Sequence, residues 1–294
     1  MHSRDVSVID AFAPAPFSGS PVGIIIDESD LAPTQMAQMA EEMGHHSTVI
    51  LDTSADPPTV RSPDPGSSSP GPHAAVAAAH AMTEREQFEE WTLDWGAADR
   101  RVTLDADGTP RAALPRPECR PTDQGEEVFA AALGLDPAAL RDVAADLPPT
   151  RASLGAGVLV VAVNFLEHLG GIEPNLDSLA SLLDAAGAET LYAFTFDTLD
   201  VDRDVHGVEL ERTGDHRRPT GAAEACAAAA ITRFGALDAD RETIRFEAGD
   251  RFDRPARLSV CLGDPTTICG PCSTAIEGTI AVPPTGSDDD IVEA

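Results

Sequence analysis

Apolar and polar positions change their period several times along the chain, and each change marks an element. Val6-Ser7-Val8-Ile9-Asp10-Ala11-Phe12 alternates with a period of two, as a half-buried strand does. Val22-Gly23-Ile24-Ile25-Ile26 is nearly continuous and predicts a more buried strand. The stretch from Pro14 to Pro21 between them carries loop residues. Met36, Met39, Ala40 and Met43 then recur at helical spacing, with Thr34 as the expected cap and Gly44 as the stop. A strand follows at 48–51, and residues 53–70, rich in Pro, Ser and Asp, predict a loop with a short strand near 59–61. Strands are expected at 91–93, 102–104 and 111–114, with Asp107-Gly108 as a tight turn. Residues 115–125 resemble a linker. Beyond them the pattern predicts helices over 125–134, 137–144 and 175–183, and strands over 158–163, 190–196, 205–210, 257–260, 266–269 and 275–282.

Two stretches lack a polar face altogether. Pro72-His73-Ala74-Ala75-Val76-Ala77-Ala78-Ala79-His80 follows a run of Pro and Gly, and Ala222-Ala223-Glu224-Ala225-Cys226-Ala227-Ala228-Ala229-Ala230 follows Pro219-Thr220-Gly221. Helices without a polar stripe are buried ones. Two such helices, each introduced by Pro and Gly, predict two similar lobes. The first spans 1–117 around a helix at about 73–84, and the second spans 118–283 around a helix at about 221–234. Residues 284–294 form an acidic end expected to be disordered. Strands around a central helix, rather than alternating βαβ units, predict an α+β fold with mixed sheets. Each helix start, with its unsatisfied N–H groups, is a candidate anion site.

Composition narrows the setting. Fifty acidic residues face twenty basic ones, giving a net charge of -30, and all twenty basic residues are Arg. The acids are dispersed, apart from Asp288, Asp289 and Asp290. A dispersed acidic surface predicts a halophilic protein, because molar salt shortens the Debye length to about 3 Å and screens self-repulsion. With no basic patch, nucleic acid is not an expected partner. The sequence predicts neither a secretory leader nor a membrane span, so a cytoplasmic location is expected. Five Cys are an odd number, which argues against a disulfide framework. Cys269-Gly270-Pro271-Cys272 lies between strand-like segments and reads as a turn rather than a redox or metal pair.

The order of several short motifs adds a family. Asp10-Ala11-Phe12 with Pro16-Phe17-Ser18-Gly19-Ser20-Pro21, and then Pro72-His73-Ala74 and Ala77-Ala78-Ala79-His80, come in this order. Glu173-Pro174-Asn175-Leu176-Asp177, Leu191-Tyr192-Ala193-Phe194-Thr195, Pro219-Thr220-Gly221, Gly249, Arg254-Pro255 and Glu277-Gly278 continue it. The series resembles the PhzF-like (phenazine biosynthesis) family, which has the diaminopimelate epimerase fold. The resemblance implies two pseudo-symmetric lobes, usually in a homodimer, with the site in the cleft at the starts of the two central helices. It also implies cofactor-independent isomerase or epimerase chemistry on a small carboxylate, with no metal.

Ser47, Pro72, Arg217-Arg218 and Ala222 depart from the family pattern, as does Ser20, which stands in place of an Asn. Ser47 stands where the family has its acid/base Glu, and a serine cannot do a carboxylate's work unaided. Pro72 replaces a Gly and has no N–H. Arg217-Arg218 stand in place of the family's acidic residue before Pro219, and Ala222 in place of a Ser. His73 is retained as a candidate acid/base, with Asp215 or His216 able to supply a missing group. The expected substrate-binding residues are Ser20, Gly71, Ala74, Arg217, Arg218, Thr220, Gly221 and Ala222. His45 and His46 are weaker candidates. Two readings remain: an isomerase with rearranged groups, or a small-molecule binding or regulatory relative that has lost catalysis.

Overall fold

The structure is a computed structural model that describes residues 2–27, 31–44, 47–63, 71–84, 90–94, 99–143, 147–238 and 241–284. The expectations for His45, His46 and the acidic end beyond residue 284 lie outside the described residues. The first half runs β1 (Ser3–Ala11), β2 (Ser20–Asp27), α1 (Pro33–Met43), β3 (Thr48–Asp52), β4 (Thr59–Arg61), α2 (Pro72–Thr83), β5 (Glu90–Asp94), β6 (Asp99–Leu104), β7 (Pro110–Leu114) and β8 (Glu118–Pro121). The second opens with α3 (Glu126–Leu133), β9 (Thr150–Leu154), β10 (Ala156–Ala162), α4 (Leu166–Gly170), α5 (Leu176–Ala186) and β11 (Thr190–Thr195). It closes with β12 (Val205–Glu211), β13 (His216–Arg217), α6 (Ala222–Arg233), β14 (Thr243–Ala248), β15 (Ala256–Cys261), β16 (Thr266–Cys269) and β17 (Cys272–Ala281).

The two halves repeat one pairing plan. β1 pairs antiparallel with β2, β2 parallel with β3, β3 antiparallel with β4, and β4 parallel with β5. β6 and β7 then follow antiparallel. In the second half β9, β10, β11, β12, β14, β15 and β16 repeat this series of antiparallel and parallel steps in the same order. The helices fall at matching places: α1 corresponds to α4 with α5, and α2 to α6. The last strand of each half pairs with the first strand of the other, β17 with β1 and β8 with β9, and β7 pairs with β16. A pseudo-twofold therefore relates two lobes, as the resemblance implies, and they share strands along one continuous ladder.

The central helices are buried because their side chains are small. Ala74–Ala79 in α2, and Ala223, Ala225, Ala227 and Ala228 in α6, are fully buried in one apolar core. Alanine has the best helix propensity and lets a sheet close onto the backbone on all sides. A second apolar cluster holds α3, α4 and α5 against the outer face of β10 and β11.

Several local expectations are corrected. Thr34 does not cap α1; Ala32 is the cap residue, Pro33 opens the helix, and the Gln35 side chain accepts the Ala32 N–H at 2.9 Å. Residues 115–125 are more than a linker, since β8 pairs with β9 within them. The predicted helix over 137–144 is a single 3₁₀ turn at Pro137–Leu140, begun by Asp136, whose side chain accepts from Ala138 N–H. β9, β14 and α4 were not anticipated. Parallel crossovers also occur in each lobe, across α1, α2, α5 and α6, so βαβ units alternate with antiparallel pairs.

Candidate functional site

A cleft of about 800 Å³ opens where the start of α2 faces β13 and the loop leading into α6. His73, the second residue of α2, is at its floor. Its backbone N–H donates to the Thr220 carbonyl at 3.0 Å, across the lobe boundary. Its ring Nε2 is 2.8 Å from Ser47 Oγ, and which atom donates depends on the ring's tautomer. Nδ1 is buried and makes no hydrogen bond with a described residue. Burial pushes the His73 pKa down to about 4, and the Arg217 charge adds to the shift while the Thr220 backbone opposes it. The imidazole is therefore neutral at pH 7. On the other side of the loop, Ser20 Oγ donates to the Pro219 carbonyl at 2.6 Å. The Pro219-Thr220 segment is thus tied to the first lobe at two points.

Three arginines border the cleft. Arg217 lies 3.6 Å from Glu209 Oε1 and 3.3 Å from Glu211 Oε1. Arg254 binds Asp10 Oδ1 at 2.5 Å and the Gly19 carbonyl at 3.1 Å. Asp10 also accepts the Phe17 N–H at 2.7 Å, which holds Phe17 at a φ of +67° on the rim. Arg218 differs from these two: its guanidinium stacks over the Phe252 ring at 5.0 Å and has no ion pair with a described residue. Asp215 lies on the rim and accepts the Thr213 hydroxyl at 2.9 Å. Phe17, Phe252 and Ile276 give the cleft apolar walls.

Of the expected residues, Ser20, Ser47, His73, Asp215, Arg217, Arg218 and Thr220 line the cleft, while Gly71, Ala74, Gly221 and Ala222 do not. Several N–H groups at the helix starts already have partners within the protein. Pro72 has no N–H, the N–H of His73 goes to Thr220, and the Ala74 N–H goes to the Gly71 carbonyl at 3.0 Å. In α6 the Gly221 N–H donates to Glu224 Oε2 at 2.9 Å and the Ala222 N–H to Thr220 Oγ1 at 3.3 Å. Gly221 has φ +85°, and a Cβ there would lie 2.1 Å from Ile268 Cδ1, so the turn requires a glycine. The cations that line the cleft are the side chains of Arg217, Arg218 and Arg254.

The Asp10–Arg254 pair and the acids Glu209 and Glu224 were missed as site features. Glu224 carried a signal, as the only charged residue in the apolar run from Ala222 to Ile231. It is fully buried, and burial followed by the Glu209 charge raises its pKa to about 8. Glu209 is raised as well, mainly by burial, with Arg217 opposing. Cys269 and Cys272 end β16 and begin β17 around a two-residue turn, as expected, and both are free.

Comparison with known proteins places these residues in a wider group. The profile of the phenazine biosynthesis-like (PhzC-PhzF) family matches residues 9–278. The uncharacterized isomerase YfhB of Bacillus subtilis (strain 168) is 24% identical over 271 residues, covering 88% of this chain and 91% of that protein. A PhzF-family phenazine biosynthesis protein of Bacillus anthracis superposes with a TM-score of 0.82 at 21% identity, covering 96% of this chain and all (100%) of that one. A hydroxyproline epimerase of Agrobacterium vitis, with bound trans-4-hydroxy-L-proline, superposes at 0.56 with 12% identity over 95% of this chain and 91% of that one. At such identities the two structures establish the fold alone.

Proposed function

We propose that this chain, which belongs to the phenazine biosynthesis-like family, is a cofactor-independent isomerase that moves a proton on a small carboxylate-bearing molecule in its inter-lobe cleft. The observation that carries this is the neutral imidazole of His73, held by Ser47 at the floor of a cleft that also offers Arg218. A neutral imidazole can accept a proton, and a guanidinium without a carboxylate partner can hold a substrate carboxylate beside it. A bound carboxylate raises the His73 pKa toward neutrality, which brings it closer to the range where general bases work best. Ser47 orients the ring; Asp215 and Thr220 border the reacting molecule. The apolar rim of Phe17, Phe252 and Ile276 suits a substrate with a ring or hydrocarbon body.

The test is deuterium wash-in from heavy water into a panel of small carboxylic acids, beginning with trans-4-hydroxy-L-proline, the ligand of the Agrobacterium vitis relative. Exchange is expected with at least one acid and is expected to fall by about 10²-fold or more in His73→Ala. Arg218→Ala is expected to weaken saturation of the same acid without changing the pH profile. A second reading is favoured by Ser47 and Arg218 standing where the family's acids would be: a relative that binds such a molecule and no longer turns it over. Saturable binding of a panel acid by calorimetry, with no exchange of any acid, would establish that reading instead.

The same proposal places the protein in the cytoplasm of a salt-adapted cell as a homodimer. Multi-angle light scattering in molar KCl tests the dimer, with a monomer mass as the contrary result. No helix among the described residues is long and apolar enough to cross a membrane.

A further inference from the structure

Behind the cleft, between β11, β12 and the start of α6, is a recess of about 10 Å³. Tyr192, Glu209, Glu224 and His216 help to line it. Tyr192 Oη, Glu209 Oε2 and His216 Nδ1 are all buried, and none makes a hydrogen bond with a described residue. Tyr192 is 1% exposed and Glu209 5%, so neither can turn out to bulk water. Gly207 makes room for the phenol, since a Cβ there would fall 2.0 Å from Tyr192 Oη. Buried polar groups left without partners around a space of about one water's volume are the setting in which an ordered water is found. His216 and Arg217 border both this recess and the cleft.

We propose that the recess holds one water joining the Glu209–Glu224 carboxyl pair to His216, and that His216 thereby serves as the second proton-transferring residue of the cleft. The role for His216 rests on the isomerase reading; the water does not. Both carboxyls line the recess, and burial, with the Glu209 charge added, raises the Glu224 pKa to about 8, so Glu224 holds a proton at pH 7. In the transfer, the carboxyl O–H gives its proton to the water. The water passes one of its own to His216 Nδ1. His216 Nε2–H releases its proton to the substrate carbon as the new C–H bond forms. His73 has by then taken the proton from the other position, so the substrate keeps its charge. The negative charge left on the pair lies 3.6 Å from the Arg217 guanidinium at Glu209. His73 then returns its proton to solvent, a solvent proton adds to His216 Nε2, and the Nδ1 proton passes back through the water to the carboxyls, which restores the starting tautomer and charges. Burial, and then the Arg251 charge, lower the His216 pKa, while Asp215 opposes them.

The test uses the full chain, with water as the probe. Neutron diffraction is expected to show one water within about 3.2 Å of Tyr192 Oη, Glu209 Oε2 and His216 Nδ1. A dry recess, or an ion at metal-ligand distance, overturns the proposal. Nitrogen-15 NMR of the His216 ring is expected to change tautomer balance and titration midpoint in both Glu209→Gln and Tyr192→Phe. If neither variant moves the ring signals of a folded protein, the relay is overturned. Once an exchanging acid is found, His216→Gln is expected to slow its exchange by about 10²-fold. Undiminished exchange would remove His216 from the reaction. Absence of exchange in the unaltered protein would sink the isomerase reading while the diffraction and NMR results still decide the relay.

Discussion

At the scale of single residues, His73 and Glu224 are both buried and both neutral, but their effects on stability run in opposite directions with pH. His73 falls from an ordinary 6.5 to about 4, so its contribution is fully present above pH 6.5 and is lost as pH falls toward 4. Glu224 rises from 4.5 to about 8, so its contribution is fully present below pH 4.5 and is lost as pH rises toward 8. Between 6.5 and 8 only Glu224 of these two titrates, and the loss it causes there is about 2 kcal/mol. Glu224→Gln keeps an acceptor for the Gly221 N–H and cannot ionise. Urea unfolding at pH 6.5 and pH 8 is expected to show that loss in the unaltered protein and a flatter response in the variant. An equal loss in both would mean that Glu224 ionises freely. Ser47 was legible as a departure from the family pattern, but its bond to His73 was not. Spacing in a chain does not tell which side chain a ring nitrogen will find 26 positions away.

Among the elements, α2 and α6 were legible because an apolar run without a polar face has one physical outcome, burial. Their N-terminal chemistry was not legible, because what a helix start binds depends on which neighbour reaches it first. In α2 that neighbour is the Thr220 carbonyl, and in α6 the Glu224 carboxyl. β8, β9 and β14 were missed for a related reason. Arg120, Arg151 and Arg245 sit in them, and the strands exist through partners in distant parts of the chain, not through apolar alternation of their own. The small side chains of α2 also give a test of the packing. Ala77 is fully buried in the core of the first lobe, and Ala77→Leu is expected to cost about 1–3 kcal/mol by overpacking. Ala229→Ser, on a half-buried position of the α6 alanine run, is expected to change stability by less than about 0.5 kcal/mol. Similar losses in the two variants, measured by thermal unfolding, would mean that the helix is not packed as tightly as the structure shows.

For the whole molecule, charge decides the conditions under which the two lobes hold together. Fifty acids against twenty arginines leave a net charge of -30, and the surface arginines pair with only some of the carboxylates. Self-repulsion of that size opposes the compact state in dilute buffer, where the Debye length is about 30 Å at 0.01 M. At 1 M it is about 3 Å, so repulsion between separated surface charges is largely screened. The joints between the lobes include neutral contacts, namely backbone pairing of β7 with β16, the His73 N–H to Thr220 and Ser20 to Pro219, beside the ion pair of Arg254 with the buried Asp10. Salt does not weaken the neutral contacts as it weakens ion pairs. Raising KCl from 0.01 M to 2 M is therefore expected to raise the melting temperature steadily, and equimolar sucrose is expected to raise it much less. A melting temperature independent of KCl would show that the acidic surface is not a salt adaptation. It would also mean that the exchange and binding experiments can be run in ordinary buffer.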